Sequence, residues 1–90
     1  MKPKVEIDLL HVLFPHVRAE ILRILFFDPA HETYGHEAAR MTTLALRTVQ
    51  RELVILETAG LVTSHKTNRR RLFRANRKHR MFSALRQLSP

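Results

Sequence analysis

The stretch from Leu46 to Ala75 constrains this chain most. Val49, Leu53 and Leu56 recur at i, i+4 and i+7, the spacing of one buried helix face, and Gly60 follows as a left-handed helix stop. Leu61 to His65 and Arg71 to Ala75 are strand-like runs, separated by Lys66-Thr67-Asn68-Arg69-Arg70, in which Asn68 tolerates positive φ. A helix that feeds at once into a β-hairpin with a basic tip is the unit around which the rest must be arranged.

Upstream, Ile7, Leu9, Leu10, Leu13 and Phe14 form a short apolar stripe at helical spacing, and Pro15 disfavours helix at Phe14. Pro15 suits the start of a second helix, in which Val17, Ile21, Ile24 and Leu25 share a face. Asp28-Pro29 ends it, and the connection through Gly35 has room for a short extended piece at Thr33-Tyr34. A brief helix is expected over His36 to Met41, and after Thr42-Thr43-Leu44-Ala45 the longer helix begins. Ala45 has no side chain with which to cap it, so Thr43 or water must meet those N–H groups, at a cost of about 1 kcal/mol. From Lys78 the helical pattern returns, with Met81, Phe82, Leu85 and Leu88 on one face. The expected fold is mainly α with a small β-hairpin, in the order α-α-α-α-β-β-α, as one domain over residues 1–90.

Ninety residues support one modest core, and the hydrophobic share of 44% is that of an ordinary globular chain. No run has the length of a membrane span and the first residues lack a signal-peptide apolar stretch, so a cytoplasmic protein without membrane contact is expected. The absence of cysteine excludes disulfides, thiolate metal sites and thiol nucleophiles.

The formal charge of +8 is unevenly placed. Through Ala45 five Lys and Arg stand against six Asp and Glu, whereas from Leu46 onward there are eleven against two. Between Lys66 and Arg80 lie eight basic residues and no acid. Such an excess calls for an acidic partner. Helix, turn, helix and hairpin is an arrangement used by DNA-binding proteins, because a helix about 10–12 Å across fits a major groove about 12 Å wide. With Val49, Leu53 and Leu56 turned inward, Leu46, Arg47, Thr48, Gln50, Arg51 and Val54 fall on the flanks and the opposite face. Arg47, Thr48, Gln50 and Arg51 are the candidate base and phosphate contacts, arginine suiting guanine or phosphate and glutamine suiting adenine. Lys66, Asn68, Arg69, Arg70 and Arg71 are the candidate contacts of the hairpin tip to phosphates or the minor groove.

The stretch from Leu13 to Leu88 resembles the ArsR-type winged helix-turn-helix transcription regulators. The residues concerned are Arg18-Ala19-Glu20-Ile21-Leu22-Arg23-Ile24-Leu25, Thr48-Val49-Gln50-Arg51-Glu52-Leu53, Leu56-Glu57-Thr58-Ala59-Gly60-Leu61-Val62 and Asn68-Arg69-Arg70-Arg71-Leu72-Phe73-Arg74-Ala75-Asn76. Thr43 and Ala45 depart from the Gly and Ser often seen around the turn, and Asn68 stands where a wing Gly is common. The resemblance implies a homodimer joined through Ile7 to Phe14 and Met81 to Leu88, reading a palindromic operator in double-stranded DNA; the expected function is a sequence-specific regulator of transcription that represses by occupying that operator. An independent consideration points the same way: a small domain with apolar terminal helices gains core by pairing.

Neither catalysis, a metal nor a cofactor is expected. Ser64, Ser83 and the threonines lack a partner triad, and His31-Glu32 with His36-Glu37 misses the i, i+4 spacing of one-face ligation. His65 beside the hairpin is the histidine placed to tighten nucleic-acid binding at mild acid. Two other readings stay open: a protein-docking adaptor, to which apolar Leu46, Val54 and Ile55 give some weight, and general RNA or chromatin binding through the basic hairpin.

Overall fold

The computed structural model describes residues 8–89, in which the chain runs α1 (Leu9–Leu13), α2 (His16–Phe27), β1 (Thr33–Tyr34), α3 (Gly35–Thr42), α4 (Leu46–Thr58), β2 (Val62–Thr67), β3 (Arg70–Ala75) and α5 (Phe82–Leu88). Asp8 caps α1, its Oδ1 accepting from the Leu10 N–H at 3.1 Å and the His11 N–H at 3.4 Å. Phe14 turns extended before Pro15, and Pro15 becomes the N-cap of α2, where its missing N–H is not needed. Ile7, assigned above to the first helix and the dimer contact, lies outside the described residues.

Three features differ from the sequence expectation. The hairpin is part of a three-stranded antiparallel sheet in the order β1-β3-β2, with Thr33 opposite Phe73 and Tyr34 opposite Leu72. The described residues are thus mixed α/β, with five helices, rather than helices with a lone hairpin. β3 has a second edge whose backbone groups need partners, and β1 supplies them. The hairpin strands also reach further towards the tip. Lys66 pairs with Arg71 and Thr67 with Arg70, so the loop is Asn68-Arg69 alone, at φ +48° and +65°. Positive φ at both central residues is what a two-residue hairpin turn requires to match strand twist. Finally, α5 begins at Phe82 rather than Lys78, because the intervening residues form turns: Asn76 Oδ1 accepts from the Lys78 N–H and His79 Nδ1 from the Met81 N–H, each at 3.0 Å.

One buried cluster joins these elements. It takes Leu10 from α1, Ile21, Leu22, Ile24, Leu25 and Phe26 from α2, Val49, Leu53 and Leu56 from α4, Val62, Phe73 and Ala75 from the sheet, and Leu85 from α5. Each fully buried aliphatic or aromatic side chain of this kind stabilises by about 1.5–3 kcal/mol, so the apolar stripe of α4 fixes which side of that helix is left outside. A polar clasp reinforces the orientation: Arg18 Nε on α2 donates to Glu52 Oε2 on α4 at 2.5 Å, with Glu52 almost wholly buried.

Between α3 and α4 the chain turns on Thr43, at φ +55°, and the Leu44 N–H closes back on the Ala39 carbonyl at 3.1 Å. This is the helix-ending pattern that usually employs glycine. The Thr43 hydroxyl donates to the Thr42 carbonyl, so of the two candidates for capping α4, Thr43 is otherwise engaged, and Ala45 is its N-cap with no side-chain hydrogen bond.

Candidate nucleic-acid interface

α4 presents the residues its periodicity assigns to the outside. Arg47, Thr48, Gln50, Arg51 and Val54 are exposed, Leu46 is half-buried, and Val49, Leu53 and Leu56 are buried. Glu52 is the exception that spacing did not flag, a carboxylate on the inner side held by Arg18. Gln50 lies over the start of α3: a Cβ added at Gly35 would meet Gln50 Cγ at 3.4 Å. Gln50 thus lies beside the hairpin rather than apart from it, lining one groove with Arg69, Arg70 and Arg71.

The hairpin divides its basic residues into two kinds. Lys66, Asn68 and Arg69 are exposed and make no side-chain hydrogen bond or ion pair among the described residues. Arg70 and Arg71 have internal partners. The Arg70 guanidinium sits 3.9 Å from the centroid of the Tyr34 ring, a cation–π contact that fastens β3 to the edge strand. Arg71 Nη1 donates to Ser64 Oγ at 2.9 Å, and Ser64 Oγ in turn donates to the Glu57 carboxylate on α4. Arg71–Ser64–Glu57 therefore bolts the hairpin to α4. Tyr34, Ser64 and Glu57 are the positioning residues that sequence reading missed; the alternation of β2 and β3 could have paired Ser64 with that face, but no local pattern points to Tyr34.

Between α4 and the hairpin lies a groove of about 360 Å³, lined by Tyr34, Gly35, His36, Gln50, Val54, Arg69, Arg70, Arg71 and Phe73. Arg74, Arg77 and Lys78 line a second depression of about 670 Å³ together with His65 and Thr63. The basic run from Lys66 to Arg80 thus does not all bear on the α4 groove: Arg69, Arg70 and Arg71 at the hairpin tip line it, whereas Arg74 near the far end of β3 and Arg77 and Lys78 beyond it line the other.

Electrostatically the surface is unbalanced. Among the described residues the ion pairs engage Arg18, Arg23, His11 and His65, and none of the eleven Lys and Arg from Leu46 onward forms one. Both acids of that half are occupied, Glu52 by Arg18 and Glu57 by Ser64. His65 Nδ1 is 3.8 Å from Glu32 Oε2, and the Glu37 carboxylate accepts from Thr33 Oγ1 at 2.8 Å, so the carboxylates beside His31 and His36 go to different partners.

The terminal helices are partly absorbed by the core. Leu10 and Leu85 are buried, and Phe14, Phe82 and Leu88 pack against the same cluster. Leu9, Val12 and Leu13, at i, i+3 and i+4 on the outer face of α1, remain exposed, as do Phe27 and Met81. No helix among the described residues is long and apolar enough to cross a membrane. Comparison with protein-family models, with curated proteins and with solved structures returned no match.

Proposed function

We propose that this chain is a sequence-specific, double-stranded-DNA-binding regulator of transcription with a winged helix-turn-helix architecture of the ArsR type, acting as a repressor that occupies an operator. α3 and α4 are its helix-turn-helix, α4 reads the major groove, and the β2–β3 hairpin is the wing on phosphates or the minor groove. One observation carries this reading: the basic side chains of α4 and the hairpin lack carboxylate partners among the described residues, while every described acid of the same half is engaged. Arg47 and Arg51, four residues apart on the exposed face, suit guanine edges or phosphates, and Gln50 suits adenine. The uncapped first turn of α4 leaves backbone N–H groups of the kind that donate to a phosphate. Arg69 supports it further, since a left-handed arginine costs about 1 kcal/mol that glycine would avoid.

The dimer belongs to the same reading, with Leu9, Val12 and Leu13 of α1 as its apolar contact and the two α4 helices about one DNA turn apart. Selection of binding sites from random duplexes tests the whole. An enriched, two-fold-related motif is expected. Arg51→Ala should then cost about 1–3 kcal/mol and relax one base position, whereas Lys66→Ala should weaken all duplexes alike. Lys66 is the better wing probe than Arg70, whose removal also releases Tyr34. Equal, sequence-independent losses for both variants would sink this division of labour. The exposure of Val54 (58%) and Ile55 (43%) on α4 favours one other reading, a protein-docking adaptor, and selection without any enriched motif would put it first.

A further inference from the structure

The α1–α2 corner holds a cluster that lies outside the basic surface. His11 is on α1, His16 opens α2, and Glu20 is one turn further on the same face of α2. His11 Nδ1 is 2.6 Å from Asp8 Oδ2, and His11 Nε2 is 3.0 Å from Glu20 Oε2. The His16 ring stands 5.2 Å from the His11 ring between centroids, and one donor atom each from His11, His16 and Glu20 fall within 4.8 Å of one another.

Both ring nitrogens of His11 therefore face carboxylate oxygens. A neutral imidazole carries one N–H, so its second nitrogen would set a lone pair against a carboxylate. A cation at Nε2 removes that repulsion, and a metal ion does so while also engaging His16, which a proton on His11 leaves unused. Two imidazoles and a carboxylate are the donor set of a borderline-soft divalent ion, and bonds of about 2.0–2.2 Å set neighbouring ligand atoms about 3.3–3.6 Å apart in a tetrahedron. The His11–Glu20 separation of 3.0 Å is close to that edge, and exposed His16 brings the third donor atom within 4.8 Å of the other two.

We propose that His11 Nε2, His16 and Glu20 bind one divalent ion of the Zn²⁺ class, with a water at the fourth position. Asp8 is the outer partner: by accepting from Nδ1–H it fixes the ring and turns the Nε2 lone pair to the metal. Arg23 steadies the Glu20 carboxylate from its far side, Nη2 donating to Oε1 at 3.1 Å and Nε to Oε2 at a longer 3.4 Å, and Oε2 has a further lone pair for the ion. The Nε2–metal bond forms from the ring lone pair while Nδ1 keeps its hydrogen on Asp8, so no other bond of the imidazole is broken. The spacing His16 to Glu20 is i, i+4, so half of this site was visible in the sequence; His11 joins it only through the Pro15 corner.

The test is titration of the full chain, freed of metal, with Co²⁺ followed by its visible absorption, and with Zn²⁺ in competition. One ion per chain and a tetrahedral Co²⁺ spectrum are expected, with a higher melting temperature in Zn²⁺. His16→Ala, at an exposed position, should keep the circular dichroism of the parent and lose more affinity than Asp8→Asn, for which about 10–100-fold is expected. His31→Ala and His36→Ala should bind as the parent does. Absence of saturable binding at one ion per chain, parental affinity in His16→Ala, or a loss confined to His31→Ala or His36→Ala would each overturn the site.

Discussion

The two halves of the molecule place their charges differently. In α1 and α2 the basic groups face acids of the same chain: Arg18 is held by Glu52, Arg23 by Glu20, and His11 stands between Asp8 and Glu20. In α4 and the hairpin the guanidinium and ammonium groups either point outward or lie on neutral partners, as Arg70 does on Tyr34 and Arg71 on Ser64. Charge in the first region holds helices to one another, while in the second it is left for an anion from outside. The contrast teaches that composition alone, a large positive excess, is less informative than which of those charges are already answered within the fold.

Salt offers the largest test of that contrast. If α4 and the hairpin together neutralise about six phosphates, raising the salt from about 50 to about 200 mM should weaken duplex binding about 10³-fold, measured by fluorescence anisotropy. A flat salt response would show that the outward charges do not meet phosphate. Next in size is the internal clasp. Glu52→Ala strands the Arg18 guanidinium beside the core and should lower stability by about 2–3 kcal/mol, a fall in melting temperature of about 10 °C or more. An unchanged melting curve would place that pair with ordinary surface ion pairs.

A smaller and opposite pair of effects separates stability from binding at the hairpin tip. Arg69→Gly relieves the left-handed arginine and should raise stability by about 1 kcal/mol while reducing the salt slope of DNA binding by about one. Chemical denaturation and binding isotherms on one protein would show both, and a loss of stability would mean that Arg69 has a structural role. The smallest effect concerns Asp8. Desolvation raises its carboxyl, but the hydrogen bonds and charge of His11, with the Leu10 N–H, outweigh this and hold it below its ordinary 3.8. The unfolded chain therefore takes up the proton first as pH falls, so this contribution is present above 3.8 and is lost as pH drops through the lower folded value. Asp8→Asn should flatten the acid limb of the stability curve in that window, as read by urea unfolding at successive pH values.

Much of the fold was legible locally. Pro15 and Asp28-Pro29 mark helix boundaries because proline geometry acts on its immediate neighbours, and the α4 stripe set Val49, Leu53 and Leu56 inward with the candidate contacts outward. Where sequence reading fell short, the cause was distance along the chain. The extended piece at Thr33-Tyr34 was legible, but not its pairing with β3, whose register joins residues about forty positions apart. Arg70 and Arg71 read like Lys66 and Arg69 in a charge run, yet Tyr34 and Glu57, far away in sequence, give them internal partners. The start of α5 was set too early because the turns after Ala75 rest on the Asn76 and His79 side chains rather than on periodicity.

The sequence by itself determined the helices, the hairpin and the one-sided charge, since propensity, proline and apolar spacing act over a few residues. Only the tertiary structure decided which charges are answered. Arg18 meets Glu52 across two helices, Arg71 reaches Glu57 through Ser64, and His11 joins His16 and Glu20 around a proline corner. Such pairings depend on which surfaces the core brings face to face, because a charge interacts with whatever stands within a few ångströms, whatever its position in the chain.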